Sequence, residues 1–405
     1  MIDASTIKIL ILDDEQFMLK LLARMLANQG FTSVVCCDNG RDALMQVDNQ
    51  ATRPDLILLD LNMPGMDGIE FVRYLVDRKF TGSLILVSGE DERMLRTAEK
   101  LVQAHNIPML GYLQKPVKPE ALLAMLALWA PPLPAKPIKA KKVYDVEEIG
   151  AAIKEGALIN YYQPKVSVAS CAVIGVETLV RWHHPVDGLI FPDQFIGVAE
   201  ANGLINDLTR MVLTQAFAQE KKWQQAGLEL RVAVNVSMDN LASLDFQDLV
   251  VDLAAKAGIS PHKVVLEVTE SQLMGDMRVS LEILSRLRLK RFHLSIDDFG
   301  TGHSSLAQLR DIPFDELKID QGFVHHAWKN ETLRAIYDTS LALAKQLNME
   351  SVAEGVEDRD DWDLLRRTGC NLAQGNFISK PLLAEEIPAW IEVWKQRVQT
   401  EKLQT

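Results

Sequence analysis

Two carboxylates stand side by side at Asp297 and Asp298, where an apolar run from Phe292 to Ile296 gives way to Phe299-Gly300-Thr301-Gly302. Adjacent acids at a strand end can serve two cations, because one side chain points inward while the other lies at the rim, and their oxygens suit Mg²⁺ or Mn²⁺. The glycines that follow permit a tight loop. Glu177, Asn235 and Glu267 offer three more oxygen ligands from earlier segments and Glu354 another from a later one, while Lys318 supplies a fixed positive charge. Two hard cations roughly 3.5–4 Å apart polarise a phosphodiester and stabilise its departing oxygen, so phosphodiester hydrolysis is the chemistry expected of this set. A Schiff-base role for Lys318 is disfavoured, since a lysine among carboxylates stays protonated.

A second constellation lies near the start of the chain. Ile9–Leu12 runs into Asp13-Asp14, and Leu56–Leu59 runs into Asp60. Two buried strands would deliver three carboxylates to one edge, which implies a Mg²⁺ ion to neutralise them. Ser88 ends the next strand and Lys115 follows the last. Asp60 is thereby placed as a nucleophile toward a phosphoryl group, with Lys115 and the metal as charge stabilisers and Ser88 as hydrogen-bond donor.

The elements that must position these groups fall into two blocks, as the 405-residue length suggests. From Ile7 to Trp129 short apolar runs alternate with amphipathic stretches, predicting a flavodoxin-like, doubly wound (βα)5 sheet. Its strands are expected at Ile7–Leu12, Ser33–Cys37, Leu56–Leu59, Leu84–Val87 and Met109–Leu113. A Pro- and Lys-rich stretch over 131–144 reads as an extended linker. Over 145–398 strand-like segments recur eight times with helical runs between, predicting a modified TIM-type (β/α)8 barrel, with an open doubly wound sheet as the alternative. The barrel is favoured because polar residues fall at the trailing end of strand after strand: Glu177, Asn235, Glu267, Asp297, Lys318, Glu354, Gln374.

The remaining features bound the function. A net charge of −12 argues against a general nucleic-acid binder, and no apolar run is long enough for a membrane helix, so a cytoplasmic address is expected. Cys36, Cys37, Cys171 and Cys370 lack CxxC pairing and read as reduced core residues. His183-His184-Pro185 is expected to form a loop rather than a metal site, and Trp390 and Trp394, at helical spacing, to pack in a core or interface.

Residues 1–130 resemble the receiver domain of two-component response regulators, through the paired acids, the Leu59-Asp60-Leu61-Asn62-Met63-Pro64-Gly65-Met66-Asp67-Gly68 loop and the Lys115-Pro116 step. That resemblance implies phosphorylation of Asp60 by a sensor histidine kinase, Mg²⁺ held by Asp13, Asp14 and Asp60, and a switch built from Ser88, Tyr112 and Lys115. Residues 145–398 resemble the EAL-domain phosphodiesterases. The matching pieces are Tyr161-Tyr162-Gln163-Pro164, Glu177-Thr178-Leu179-Val180-Arg181-Trp182, Val234-Asn235-Val236-Ser237, Glu267-Val268-Thr269-Glu270, Asp297-Asp298-Phe299-Gly300-Thr301-Gly302, Leu317-Lys318-Ile319-Asp320, Glu354-Gly355-Val356-Glu357 and Gln374-Gly375.

This second resemblance implies hydrolysis of cyclic di-GMP to linear 5′-pGpG with two Mg²⁺ or Mn²⁺ ions. One would be held by Glu177, Asn235, Glu267 and Asp297, the other by Asp297, Asp298 and Glu354. Lys318 would orient water or phosphate, with Glu354 ligand or general base. Gln163, Arg181, Asp320 and Gln374 would contact substrate, Glu270 would anchor the loop after Asp298, and the domain would form a homo-oligomer. Thr178 replaces the family's alanine, and His303 and Asn376 stand where an aromatic is common; none of these changes removes a ligand. The rival readings are a catalytically idle receptor for the dinucleotide and a phosphorylation-controlled scaffold.

Overall fold

The structure, a computed structural model, describes residues 7–90, 92–105, 107–129, 144–269, 277–300, 309 and 312–404. The chain divides into two compact units, Met1–Ala140 and Lys141–Thr405. All of the predicted linker except Tyr144 lies outside the described residues, and Tyr144 is packed into the barrel core beside Trp182.

In the first unit, β1 (Lys8–Leu12), β2 (Ser33–Cys37), β3 (Leu56–Asp60), β4 (Ser83–Ser88) and β5 (Met109–Gln114) form a parallel sheet in the order β2-β1-β3-β4-β5. β3 and β4 are buried at every position, as expected for strands covered on both faces. The two-residue period sorts their side chains into two cores. Leu10, Leu12, Ile57, Leu59, Leu84 and Leu86 face helix Gly68–Asp77 through Phe71, Val72 and Leu75. Ile9, Ile11, Leu56, Leu58, Ile85 and Val87 face helix Gln16–Ala27 through Met18, Leu19, Leu22 and Leu26. With both faces occupied, the polar groups are left to the carboxyl edge.

In the second unit, β6 (Leu158–Ser167), β7 (Val173–His184), β9 (Arg231–Asn235), β10 (Val264–Thr269), β11 (His293–Phe299), β12 (Glu316–Ile319), β13 (Glu350–Ala353) and β14 (Leu372–Ala373) close into an eight-stranded barrel, with β8 (Gly188–Ile190) hydrogen-bonded to β7 outside the ring. β7 and β9 to β14 run parallel, whereas β6 is antiparallel to both neighbours, β7 and β14. The expected strand–helix alternation therefore fails at its first step, where β6 and β7 form a long hairpin.

That hairpin corrects two expectations. Glu177 is not at the trailing end of its strand: β7 runs on past the rim to pair with β8, leaving Glu177 at mid-strand opposite Gln163 and Ala233. His183 and His184 are strand residues rather than a loop, paired with Leu189 and Gly188, and His184 Nδ1 accepts the Asp187 amide at 3.0 Å to tighten the turn. Among the cysteines, Cys36 is exposed while the other three are buried, and all four are free. Trp394 is buried and donates to the Cys171 carbonyl at 2.8 Å, with Trp390 stacked on it. No described helix is long and apolar enough to cross a membrane.

Candidate active site

Inside the barrel the usual polarity is inverted. β12 alternates Glu316 and Lys318 inward with Leu317 and Ile319 against the helices, and β11 does the same with Ser295 and Asp297 against Leu294 and Ile296. Asp297 and Asp298 occupy a bulge: Ile296 pairs with Leu317 and Phe299 with Ile319, so two residues oppose Lys318 alone. Asp298 takes a left-handed φ of 55°, which keeps its carboxylate with that of its neighbour instead of on the opposite side of the sheet. Glu354 follows β13, its amide donating to the Ile319 carbonyl at 3.1 Å. Gly355, at φ 61°, then turns the chain where a Cβ would lie 2.2 Å from that of Gln321.

These strands bring four carboxylates around one ammonium. Lys318 Nζ lies 2.7 Å from Glu354, 3.0 Å from Asp297, 3.3 Å from Glu267 and 3.6 Å from Glu177. The oxygens of Glu177, Glu267 and Asp297 fall within 4.8 Å of one another, as do those of Asp297, Asp298 and Glu354, and Asp297 belongs to both groups. Asn235 donates to Glu177 Oε1 at 2.9 Å, and Gln374 donates to its other oxygen and to Gln163 at 2.9 Å. Gln163 in turn donates to the Ser379 carbonyl at 3.0 Å.

Lys165, two residues along β6 from Gln163, was not among the residues singled out from sequence. Its ammonium is 3.1 Å from Glu267 and 3.3 Å from Glu316, and below Glu316 lie Arg231 and Glu350. A ladder of opposite charges thus runs down the barrel axis beneath the mouth. The available signal was charge alternating with apolar residues in Glu316-Leu317-Lys318-Ile319 and a lysine at an inward position of β6; charged residues are rarely buried without a partner.

Charge balance tells which groups hold protons. Burial alone would lower both lysines, but Glu177 and Glu267 hold Lys318 well above its ordinary value, and Glu316 and Glu267 hold Lys165 up. Burial would raise Glu177, yet Lys318 and the amides of Gln374 and Asn235 outweigh it and keep it ionised. Glu267 is pushed up to about 7 by burial, against the pull of the two lysines. Asp298 is pushed up to about 6 by burial and by Asp297, and Glu354 is driven well above the usual carboxylate range by burial, with Asp297 and Glu177 adding to the effect. Five acids and two lysines leave a surplus of negative charge in a nearly dry site, and divalent cations are the groups that would relieve it.

The receiver-like edge is simpler. Lys115 Nζ is 2.7 Å from Asp60 and 2.9 Å from Asp13, and oxygens of Asp13, Asp14 and Asp60 lie within 4.8 Å of one another. The Lys115-Pro116 bond is cis. Asp13 Oδ2 is buried beside the Lys115 ammonium, and burial raises the Asp13 carboxyl, with Lys115 opposing. Three carboxylates gathered beside one ammonium suit a further cation. Ser88 is fully buried at the end of β4, its carbonyl accepting the Lys115 amide at 2.8 Å. Tyr112 lies on β5, half-buried against the core.

Comparison with known proteins agrees with this division. The response regulator receiver domain model matches residues 9–127, and the EAL domain model matches residues 146–381. The chain belongs to the EAL-domain family. The cyclic di-GMP phosphodiesterase RocR of Pseudomonas aeruginosa is 30% identical over 93% of this chain and 96% of its own length. MucR of the same organism, a bifunctional diguanylate cyclase/cyclic di-GMP phosphodiesterase, is 40% identical, but the match spans only 36% of its length. The solved PaMucR phosphodiesterase in complex with c-di-GMP superposes with a TM-score of 0.58 at 40% identity, covering 60% of this chain and 98% of that one.

The other expected residues of the EAL domain are placed as follows. Arg181, four residues beyond Glu177 on the same face of β7, donates to the Val180 carbonyl at 2.9 Å and lies over the Phe191 ring, 5.0 Å from its centroid. Asp320 caps the short helix Gln321–Val324 by accepting the Gly322 amide at 2.8 Å, close enough to raise Asp298. Asn376 donates to Glu357 at 2.9 Å. Glu270 and His303 lie outside the described residues. A recess of about 240 Å³ with Asn235, Ser237, Thr178 and Thr269 in its wall adjoins the acid cluster.

Proposed function

We propose that the EAL domain hydrolyses cyclic di-GMP to linear 5′-pGpG, and that phosphorylation of Asp60 in the receiver domain raises the rate. The observation that carries this reading is the pair of acid groups sharing Asp297. The 30% identity to RocR across nearly the whole of both chains supports the substrate and the two-part organisation.

Glu177, Asn235, Glu267 and Asp297 would hold one Mg²⁺ or Mn²⁺ ion, and Asp297, Asp298 and Glu354 a second. When bound, such ions supply charge stabilisation for an in-line displacement at phosphorus. The chain's own groups do the positioning. Lys318 and Lys165 fix the orientation of the acids; Gln374 and Asn235 lock Glu177; Glu354, its carboxyl raised, is the group suited to take a proton from attacking water. Gln163, Arg181, Asp320 and Gln374 would contact the dinucleotide, Arg181 through a planar fork that pairs with phosphate or stacks on guanine. Glu270 would anchor the loop after Asp298. In the receiver, Asp13, Asp14 and Asp60 would hold Mg²⁺, a sensor histidine kinase would be the phosphodonor, and Ser88, Tyr112 and Lys115 would relay the change. The active form would be a homo-oligomer assembled through the EAL domain.

The test is turnover of cyclic di-GMP by the purified chain with Mg²⁺, with and without beryllofluoride as phosphoryl mimic. Linear dinucleotide should form, faster with the mimic, and Glu177→Ala should abolish it. Binding of the dinucleotide without hydrolysis would establish the idle-receptor reading instead.

A further inference from the structure

Among the described residues, a further group of metal-capable side chains lies apart from both acid sites. His325, His326 and Asp358 bring one ligand atom each within 4.8 Å of one another. The two histidines follow the short helix after β12, and Asp358 caps helix Arg359–Thr368 after β13, so the group joins consecutive connections of the barrel. All three residues are partly exposed, which leaves the group accessible to an ion from solvent.

Asp361 holds the group from beneath. Its fully buried carboxylate lies 2.7 Å from His325 Nδ1 through one oxygen and accepts the His326 amide at 3.1 Å through the other. A carboxylate can only accept, so His325 carries a proton on Nδ1, and the neutral imidazole then has its lone pair on Nε2; this is the outer support that metal-binding histidines commonly have. The backbone of His326 sits at φ 67°, a conformation L residues rarely adopt. Its Nδ1 is shut from solvent with no hydrogen-bond partner among the described residues. The two imidazoles lie close together, centroids 3.6 Å apart and planes tilted by 33°.

We propose that His325, His326 and Asp358 bind a transition-metal ion of the Zn²⁺ class, distinct from the hard cations of the catalytic mouth. Two imidazoles and one carboxylate favour a borderline ion, whereas the mouth presents oxygen donors suited to Mg²⁺ or Mn²⁺, so the two sites select by donor type. The bound ion ties together the segments that follow Lys318 and Glu354. The assignment stands on these side chains and does not depend on the phosphodiesterase reading.

The test uses the tag-free full-length chain, stripped by a chelator, kept in excess Mg²⁺ and titrated with Co²⁺ as an optical probe. One tightly bound equivalent with nitrogen-donor d–d bands, displaced by Zn²⁺, is expected. Asp358→Asn, which keeps the helix cap, should weaken it at least ~10-fold, and His326→Ala should abolish the bands. Thermal melts verify folding, and if His326→Ala is unfolded, Asp358→Asn decides. Equal Co²⁺ affinity in wild type and Asp358→Asn, an oxygen-only spectrum, or binding no tighter than millimolar would overturn the proposal.

Discussion

In the receiver, two carboxylates share Lys115, whose side chain is 16% exposed; in the barrel, five share Lys318 and Lys165, whose side chains are 1% and 3% exposed. Water reaches the Lys115 ammonium itself, although its partners Asp13 and Asp60 are only 1% and 3% exposed. The barrel has no such reserve. Its acids depend on fixed internal cations, which explains why charge continues down the axis through Lys165, Glu316 and Arg231 instead of stopping at the mouth. The receiver leaves its cation partly open to solvent, whereas the barrel holds a fixed constellation.

The largest expected effect separates the two sites functionally. Asp297→Asn removes the carboxylate common to both barrel groups and should cut turnover by at least ~10²–10³-fold, as loss of one electrostatic partner does, while leaving beryllofluoride binding at Asp60 intact. Turnover beside fluoride-mimic binding on the same protein checks this.

Next comes stability. Lys165→Met removes the cation shared by Glu267 and Glu316, leaving Lys318 at 3.3 Å from the first and Arg231 at 3.7 Å from the second, and should cost at most about 3–5 kcal/mol in denaturant unfolding, with Glu316→Gln restoring part of it. Lys115→Ala, whose ammonium is partly solvated although Asp13 and Asp60 are buried, should cost less, about 1–3 kcal/mol. Equal costs would erase the contrast between buried and screened acid clusters.

Acid sharpens it further. Glu267 at about 7 and Asp298 at about 6 take up protons as pH falls, and a cation must displace them. The apparent Mn²⁺ affinity of the barrel should therefore weaken as pH drops through 7 and 6, by up to about tenfold per pH unit for each proton displaced. Calorimetry across that range would show it, and a flat profile would mean the acids are already ionised without metal. The smallest effect is expected from Asp60→Asn, which should leave basal turnover within about twofold and remove only the response to the phosphoryl mimic.

Much of this was legible in the residues, for a physical reason. Parallel strands covered on both faces must be continuously apolar, so Leu56–Leu59 and the charge that follows it mark both strand and site. Asp297-Asp298 and Lys318 stood out in the same way. What the sequence hid depended on register and direction. Nothing local to Tyr161–Ser167 says that β6 runs against its neighbours, and without that knowledge Lys165 does not point at Glu267 across 102 positions of sequence. Nor does Glu177 announce that β7 continues past it into a hairpin. The bulge at Asp297-Asp298 belongs to the same class, because it exists only relative to the pairing of β12.

The central claim is that the barrel acids hold two divalent cations through a shared Asp297. Electron paramagnetic resonance of the full-length chain loaded with Mn²⁺ tests it most directly. A spin-coupled pair that disappears in Asp297→Asn is the predicted result; isolated, uncoupled Mn²⁺ in both proteins would contradict it.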